Sequence, residues 1–197
     1  MAPLPYTDPG ARIAFYVVFG IFLLLESRVR LRSQLNRQGS RSDRNSRVVL
    51  YFWVVAGLVG GFALAGDVHR AAIRDGRWPI FVVGLILMGA GIAVRQWAVA
   101  LLGQFFTTDV RVHPGQTVVE RGPYRWVRHP SYTGMLISFV GIGLALGNWA
   151  ALGALAVLPT IGLVYRIRIE EHALLDGLGE PYRRFAASRS RLVPRLW

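Results

Sequence analysis

The chain contains no cysteine and no lysine. The first absence excludes disulfides, thiolate metal sites and thiol nucleophiles, and leaves the redox compartment open. The second means that all 23 basic residues are arginine. Charge is scarce altogether: 17% of the 197 residues are charged and 53% hydrophobic, with a mean hydropathy of +0.37. That balance suits an integral membrane protein better than a soluble one. A net charge of +12 would point to nucleic acid only if it formed a basic face on a soluble fold. Here the arginines gather between apolar runs, which membrane topology explains directly. Familiar catalytic signatures are missing too. His69, His113 and His172 have no partner at metal-ligand spacing, and there is no nucleophile elbow or phosphate loop, so no metal site is expected. No internal repeat is visible. The opening MAPLPYTDPGAR lacks the basic n-region and small-residue cleavage site of a signal peptide. The apolar run after it is therefore expected to persist as a membrane helix.

A helix needs about 20 mostly apolar residues to cross a hydrocarbon core of roughly 30 Å. Residues 11–26 supply a short first span, and residues 48–66 an uncharged second one in which Gly57 and Gly61 are spaced for close helix packing. A third run begins at Trp78, is interrupted by Arg95 and fades near Phe106. Residues 130–165 then form a stretch of 36 residues without one charge. As a single helix this would be about 54 Å long, too long for a bilayer. Gly147, Asn148 and Trp149 at its midpoint offer turn chemistry and an interfacial aromatic. Two spans joined by a tight turn are expected there, which makes about five in all.

Arginine bias sets the orientation. With the N-terminus outside, the inner segments 28–47, 111–128 and 166–195 hold seven, four and seven arginines, whereas the outer ones hold only Arg12, Arg70, Arg74 and Arg77. The loop at residues 105–129 and the C-terminus are accordingly expected in the cytoplasm, with the protein in the inner or plasma membrane of the cell. In the tail, Ile167, Leu174, Leu175 and Leu178 keep a helical spacing, Gly179 is a natural stop and Pro181 a restart. A helix running out of the last span, then a short amphipathic helix on the membrane surface, is the reading. The loop sequence VHPGQTVVERGPY suggests an irregular or hairpin segment.

Three constellations carry chemistry. Arg128, His129 and Pro130 can be explained singly by topology, an interfacial side chain and a helix start. Taken with Tyr124 and Tyr132, they would place ring donors beside a helix N-terminus, a setting suited to a ligand carboxylate. Arg166, Arg168, Glu170 and Glu171 read most simply as a solvated helix with i,i+4 pairing. Arg166 and Glu170 nonetheless share one face at the mouth of the last span and can reach the volume near His129. Arg95 is charge inside a span, a functional hypothesis by default, or else it snorkels from a run that ends near Trp97.

GPYRWVRHPSYTG followed by LVYRIRIEEHALLDGLGEPYRRF, with VRQWAVALLGQFFTTDV upstream, resembles the isoprenylcysteine carboxyl methyltransferase family of integral membrane enzymes. The similarity runs from about Arg95 to Pro194. It implies an all-α integral membrane fold in which residues 1–104 hold helices one to three. Residues 105–197 would be a catalytic region of cytoplasmic loop, helices four and five and amphipathic tail. The loop and tail would form a cytoplasmic pocket for S-adenosylmethionine. By resemblance, Gln116, Thr117, Val118, Val119, Tyr124, His129, Pro130, Ser131, Tyr132 and Glu170 would line the cofactor. Arg166 would face the methyl acceptor, with Arg95 beside it, so Arg166 and Glu170 are the candidate catalytic pair. The partner implied is a lipophilic or lipid-modified substrate in the membrane, with a carboxylate as one candidate acceptor group and a prenylated cysteine not required. Two alternatives stay open: an NADPH-dependent sterol- or steroid-type reductase, which shares RHPxY, and a non-catalytic membrane lipid-binding protein.

Overall fold

The computed structural model describes residues 1–35, 40–41, 45–113, 115–195 and 197. Arg37 and Arg44 of the arginine pattern, and Pro114 of the loop motif, lie outside the described residues. The architecture is helical: α1 (Leu4–Thr7), α2 (Pro9–Leu35), α3 (Ser46–Asp67), α4 (Arg77–Leu102), α5 (Pro130–Ala145), α6 (Trp149–Leu178) and α7 (Glu180–Ser188). Four of these are long and apolar enough to cross a membrane, and α5 is a shorter apolar helix. Large apolar side chains such as Ile13, Leu24, Phe52, Val59 and Ile86 are exposed, as lipid-facing residues are. The expectation of an all-α membrane bundle with five apolar helices holds.

Two boundaries differ from the sequence reading. The first span does not stop at Glu26: α2 runs on to Leu35, because the Glu26 carboxylate is turned inward onto a guanidinium rather than left in lipid. The short helix α1 precedes it, and the Asp8 carboxylate accepts the Ala11 N–H at 2.7 Å to start α2. Expected turn chemistry does appear between α5 and α6. Asn148 caps α6 by accepting the N–H groups of Ala150 and Ala151 at 2.9 and 3.1 Å, and its amide donates to the Val68 carbonyl at the end of α3. Gly179, at φ +62°, ends α6.

Lipid offers no hydrophobic drive between helices, so close packing must hold the bundle together. Gly57 and Gly61 do serve this purpose. A Cβ on Gly57 would meet the Pro159 ring at 2.9 Å, and one on Gly61 would meet Leu155 at 2.7 Å, which lets α3 lie along α6. A second seam, between α4 and α5, was not anticipated. A Cβ on Gly91 would lie 2.5 Å from the Gly134 carbonyl, and one on Gly84 2.5 Å from the Ala145 nitrogen. Phe15 and Phe19 of α2 meet Phe62 of α3, and Phe22 meets Phe139 of α5. These rings close the half of the bundle away from the loop.

Among the described residues, the loop between α4 and α5 contains no hairpin of its own. Arg111–Val112 instead pairs antiparallel with Ser40–Arg41, between α2 and α3, in a two-residue ladder. Further on, Gly122–Arg125 forms a 3-10 turn. The tail departs from the membrane-surface reading of its pattern and agrees with the pocket wall that the resemblance implies: the apolar residues Tyr182 and Phe185 of α7 are buried against Ala98 and Tyr124, so this face covers protein rather than lipid.

Candidate active site

At the loop end of the bundle, α4, the 105–129 loop, the start of α5, the end of α6 and α7 surround a cavity. It holds about 830 Å³ of non-atom space, part of it open to solvent. Gln116, Thr117, Val118, Val119, Tyr124, His129, Ser131, Tyr132 and Glu170 all line it. Pro130, the tenth residue grouped with them, does not: it is fully buried at the first position of α5. Apolar walls come from Leu102, Phe105, Phe106, Leu174, Leu178 and Phe185.

The start of α5 offers fewer free donors than a bare helix end. Pro130 has no N–H, and the N–H groups of Tyr132 and Thr133 both go to the His129 carbonyl, at 3.0 and 3.1 Å. His129 is 5% exposed; its ring stacks on Tyr132, with centroids 5.7 Å apart, and its Nε2 lies 3.3 Å from Glu171 Oε1. Glu171 is the residue that sequence reasoning passed over in favour of its neighbour. Arg128 Nη1 meets its Oε1 at 2.7 Å and Arg191 Nε donates to its Oε2 at 2.9 Å. The tail backbone completes the clamp, since Ser190 and Arg191 carbonyls accept the N–H groups of Arg128 and His129. One carboxylate thus ties the C-terminal segment to the entrance of α5. The signal in the sequence was the paired Glu170–Glu171 itself, since adjacent helical residues point to different neighbours.

Burial raises the Tyr124 hydroxyl well above its usual pKa, and the nearby Glu170 charge adds to this. The hydroxyl therefore stays neutral, and donates to the Ala98 carbonyl at 3.3 Å. Burial likewise raises Tyr182, followed by Glu171 and Glu170. The Tyr182 hydroxyl and the Arg128 Nε are buried without a hydrogen-bond partner among the described residues. Both residues line the cavity.

A second cavity, of about 750 Å³ of partly open space, lies between the neighbouring ends of α2 and α3. Arg95 and Arg166 line this one, together with Glu26, Arg30, Arg47, Leu23, Leu50 and Met135. Arg166 therefore does not share the first cavity with Glu170 and His129, contrary to the expectation from the shared helix face. Its side chain points to the far side of a partition. Tyr132 forms that partition together with Phe106 and Thr107 of the loop, and all three line both cavities. Arg166, 2% exposed, donates from Nε to the Tyr132 hydroxyl at 2.9 Å, from Nη1 to Ser46 Oγ at 2.9 Å and from Nη2 to the Thr108 carbonyl at 2.6 Å. Tyr132 in turn donates to Glu170 Oε2 at 2.7 Å.

Arg95 does not snorkel. It is 5% exposed, forks onto both carboxylate oxygens of Glu26, with Nη2 to Oε2 at 2.7 Å, and donates to the Ser131 carbonyl at 3.2 Å. Glu26, the last residue of the span as read from the sequence, is its counter-ion. Nothing in the local pattern pairs residues 69 positions apart.

The model of the isoprenylcysteine carboxyl methyltransferase (ICMT) family matches residues 82–176, the segment that supplies most of the first cavity's lining and, with Arg95, Tyr132 and Arg166, about half of the second's. Protein-S-isoprenylcysteine O-methyltransferase A of Arabidopsis thaliana is 35% identical over 121 residues, 59% of this chain and 60% of that one. The uncharacterized protein YpbQ of Bacillus subtilis (strain 168) is 33% identical over 114 residues, 58% of this chain and 67% of its own. The chain belongs to the isoprenylcysteine carboxyl methyltransferase family. The match to the Schizosaccharomyces pombe family member, 25% identical, extends over 92% of this chain and 83% of that protein. In fold, the chain is similar to the solved eukaryotic intramembrane Ras methyltransferase ICMT without a monobody. There the TM-score is 0.71 at 21% identity, over 98% of this chain and 70% of that one. The chain thus has the integral membrane fold of the ICMT family, although it spans only about three fifths of the plant ICMT relative above.

Proposed function

We propose that this protein is an intramembrane methyltransferase that moves a methyl group from S-adenosylmethionine to a lipophilic acceptor bearing a carboxylate. The observation that carries this reading is the pair of partly open cavities that meet at Tyr132: one walled by loop and tail, the other by α2, α3 and the neighbouring helices. A reaction between a water-soluble and a membrane-soluble reactant needs two such approaches to one wall.

The first cavity fits the cofactor. Glu170 offers an anion to its cationic groups, the apolar walls suit a purine, and the Tyr182 hydroxyl and Arg128 Nε, which have no hydrogen-bond partner among the described residues, supply donors for ribose or carboxylate oxygens. When bound, the cofactor supplies an electrophilic methyl group on a sulfonium. Arg166, a fixed cation with a planar fork, would orient the acceptor carboxylate in the second cavity. Charge on both reactants disappears in such a transfer, so alignment and exclusion of water help more than acid–base groups. The buried Tyr132 and the cover formed by α7 serve both ends. The second cavity is rimmed by Leu23, 45% exposed, and this rim would admit an acceptor sideways from the lipid.

In this reading residues 105–197 carry most of the reacting groups, and helices α2 to α4 build the acceptor's wall. The loop end faces the cytoplasm, in line with the arginine distribution. Methyltransferase relatives favour this reading over the reductase and lipid-binding alternatives. Calorimetry with S-adenosylhomocysteine on the detergent-purified protein tests the assignment of the first cavity. Binding is expected, and Glu170→Gln should weaken it by about tenfold or more, the cost of losing a charge-assisted contact. Binding of NADPH instead would overturn the assignment.

A further inference from the structure

We propose that the Tyr132 hydroxyl is a positioning group that makes the two cavities one unit, so that affinity in the cofactor cavity depends on Arg166, which does not line it. The inference rests on the methyl-transfer reading and adds a dependence that neither cavity reveals alone.

The directions of the two hydrogen bonds are fixed by chemistry. A guanidinium can only donate, so the Tyr132 oxygen accepts from Arg166 Nε, and the single phenolic proton is left for Glu170. At 2.9 and 2.7 Å the two bonds polarise each other in the same sense. Glu170 Oε2 is thereby held against the partition, which orients the carboxylate in the cavity that it lines. Arg166 and Glu170 are four residues apart on α6, a spacing at which direct pairing is ordinary; here a phenol stands between them.

The partition is stiff. Tyr132 lies in the first turn of α5, 9% exposed, with the His129 ring stacked on it. Arg166 is clamped from three elements at once: α5 through Tyr132, α3 through Ser46, and the loop through the Thr108 carbonyl. A second tie reaches the neighbouring residue from the same side, where Arg95 donates to the Ser131 carbonyl. Movement of the guanidinium toward an acceptor therefore pulls on the hydroxyl that holds Glu170.

A double-mutant cycle on the full-length protein tests this without any acceptor. S-adenosylhomocysteine is titrated calorimetrically into wild type, Tyr132→Phe, Arg166→Lys and the double variant. Arg166→Lys keeps the charge and removes the fork, so only geometry changes. Each single change is expected to weaken binding about five- to tenfold, and the double variant should bind no more weakly than Tyr132→Phe alone. Should melting curves show that the lysine variant does not fold, Ser46→Ala replaces it in the cycle, because it releases the opposite end of the guanidinium. A loss of about threefold that vanishes in the Tyr132→Phe background is then expected. An Arg166→Lys affinity within about twofold of wild type, or two effects that multiply, overturns the proposal. A wild-type protein that does not bind the probe refutes the methyl-transfer reading and this inference with it. One that binds, with independent variants, refutes the inference alone.

Discussion

Glu26→Gln should be far more damaging than Arg95→Met, although the two residues form one ion pair. The Arg95 side chain is 6% exposed and that of Glu26 is 25% exposed. Glu26→Gln leaves a guanidinium buried in α4 with no counter-charge among the described residues. Breaking a buried pair from one side costs about 3–5 kcal/mol, because the remaining charge is uncompensated. Arg95→Met leaves a carboxylate that is partly exposed and can turn toward water, so its cost should be smaller, about 1–2 kcal/mol. Replacing both, as Glu26→Leu with Arg95→Met, removes the unpaired charge and should recover much of the loss. Unfolding in detergent micelles, followed by tryptophan fluorescence, measures all three variants. If Glu26→Gln costs no more than Arg95→Met, or only the 0–1 kcal/mol or so of an exposed pair, the burial argument is wrong.

Three further outcomes follow from the packing and charge of the site. Gly91→Ala should destabilise by about 1–3 kcal/mol through overpacking against Gly134, whereas Gly89→Ala, with nothing within 4 Å, should be close to neutral in the same melts. Glu171→Gln should loosen the tail, so that limited proteolysis cuts near Arg189 and Arg191 faster than in wild type while the helical content is unchanged. Tyr124 and Tyr182 have folded-state pKa values raised above the ordinary 10.0. The stability they confer is fully present below about pH 10 and lost as the pH rises toward the folded-state values; Tyr124→Phe should flatten this alkaline fall in a pH series of melting temperatures.

The helices and the turn at Asn148 were legible because lipid forces long apolar runs, and a 36-residue run cannot stay one helix. Gly57 and Gly61 were legible for the same reason: small residues four apart are the means of packing helices in lipid. The two-cavity arrangement was not. Arg166 and Glu170 share a helix face, and periodicity alone puts them in one volume; the Tyr132 ring, brought in by α5, stands between them, with Phe106 and Thr107 of the loop beside it. Glu26 was read as the end of a span because its partner stands on another helix. For α7 the helical pattern alone does not tell a lipid surface from a pocket wall, and only the family resemblance pointed to the wall that Tyr182 and Phe185 form.

The most direct test of methyl transfer uses membranes containing the protein, S-adenosylmethionine labelled with tritium in the methyl group, and an amphiphilic carboxylic acid such as N-acetyl-S-farnesylcysteine. The account predicts label in an organic-soluble product that base releases as volatile methanol, the behaviour of a methyl ester. It also predicts that this label is lost in Arg166→Gln. No labelled product from this acid or from a total lipid extract, or consumption of NADPH in place of label transfer, would contradict it.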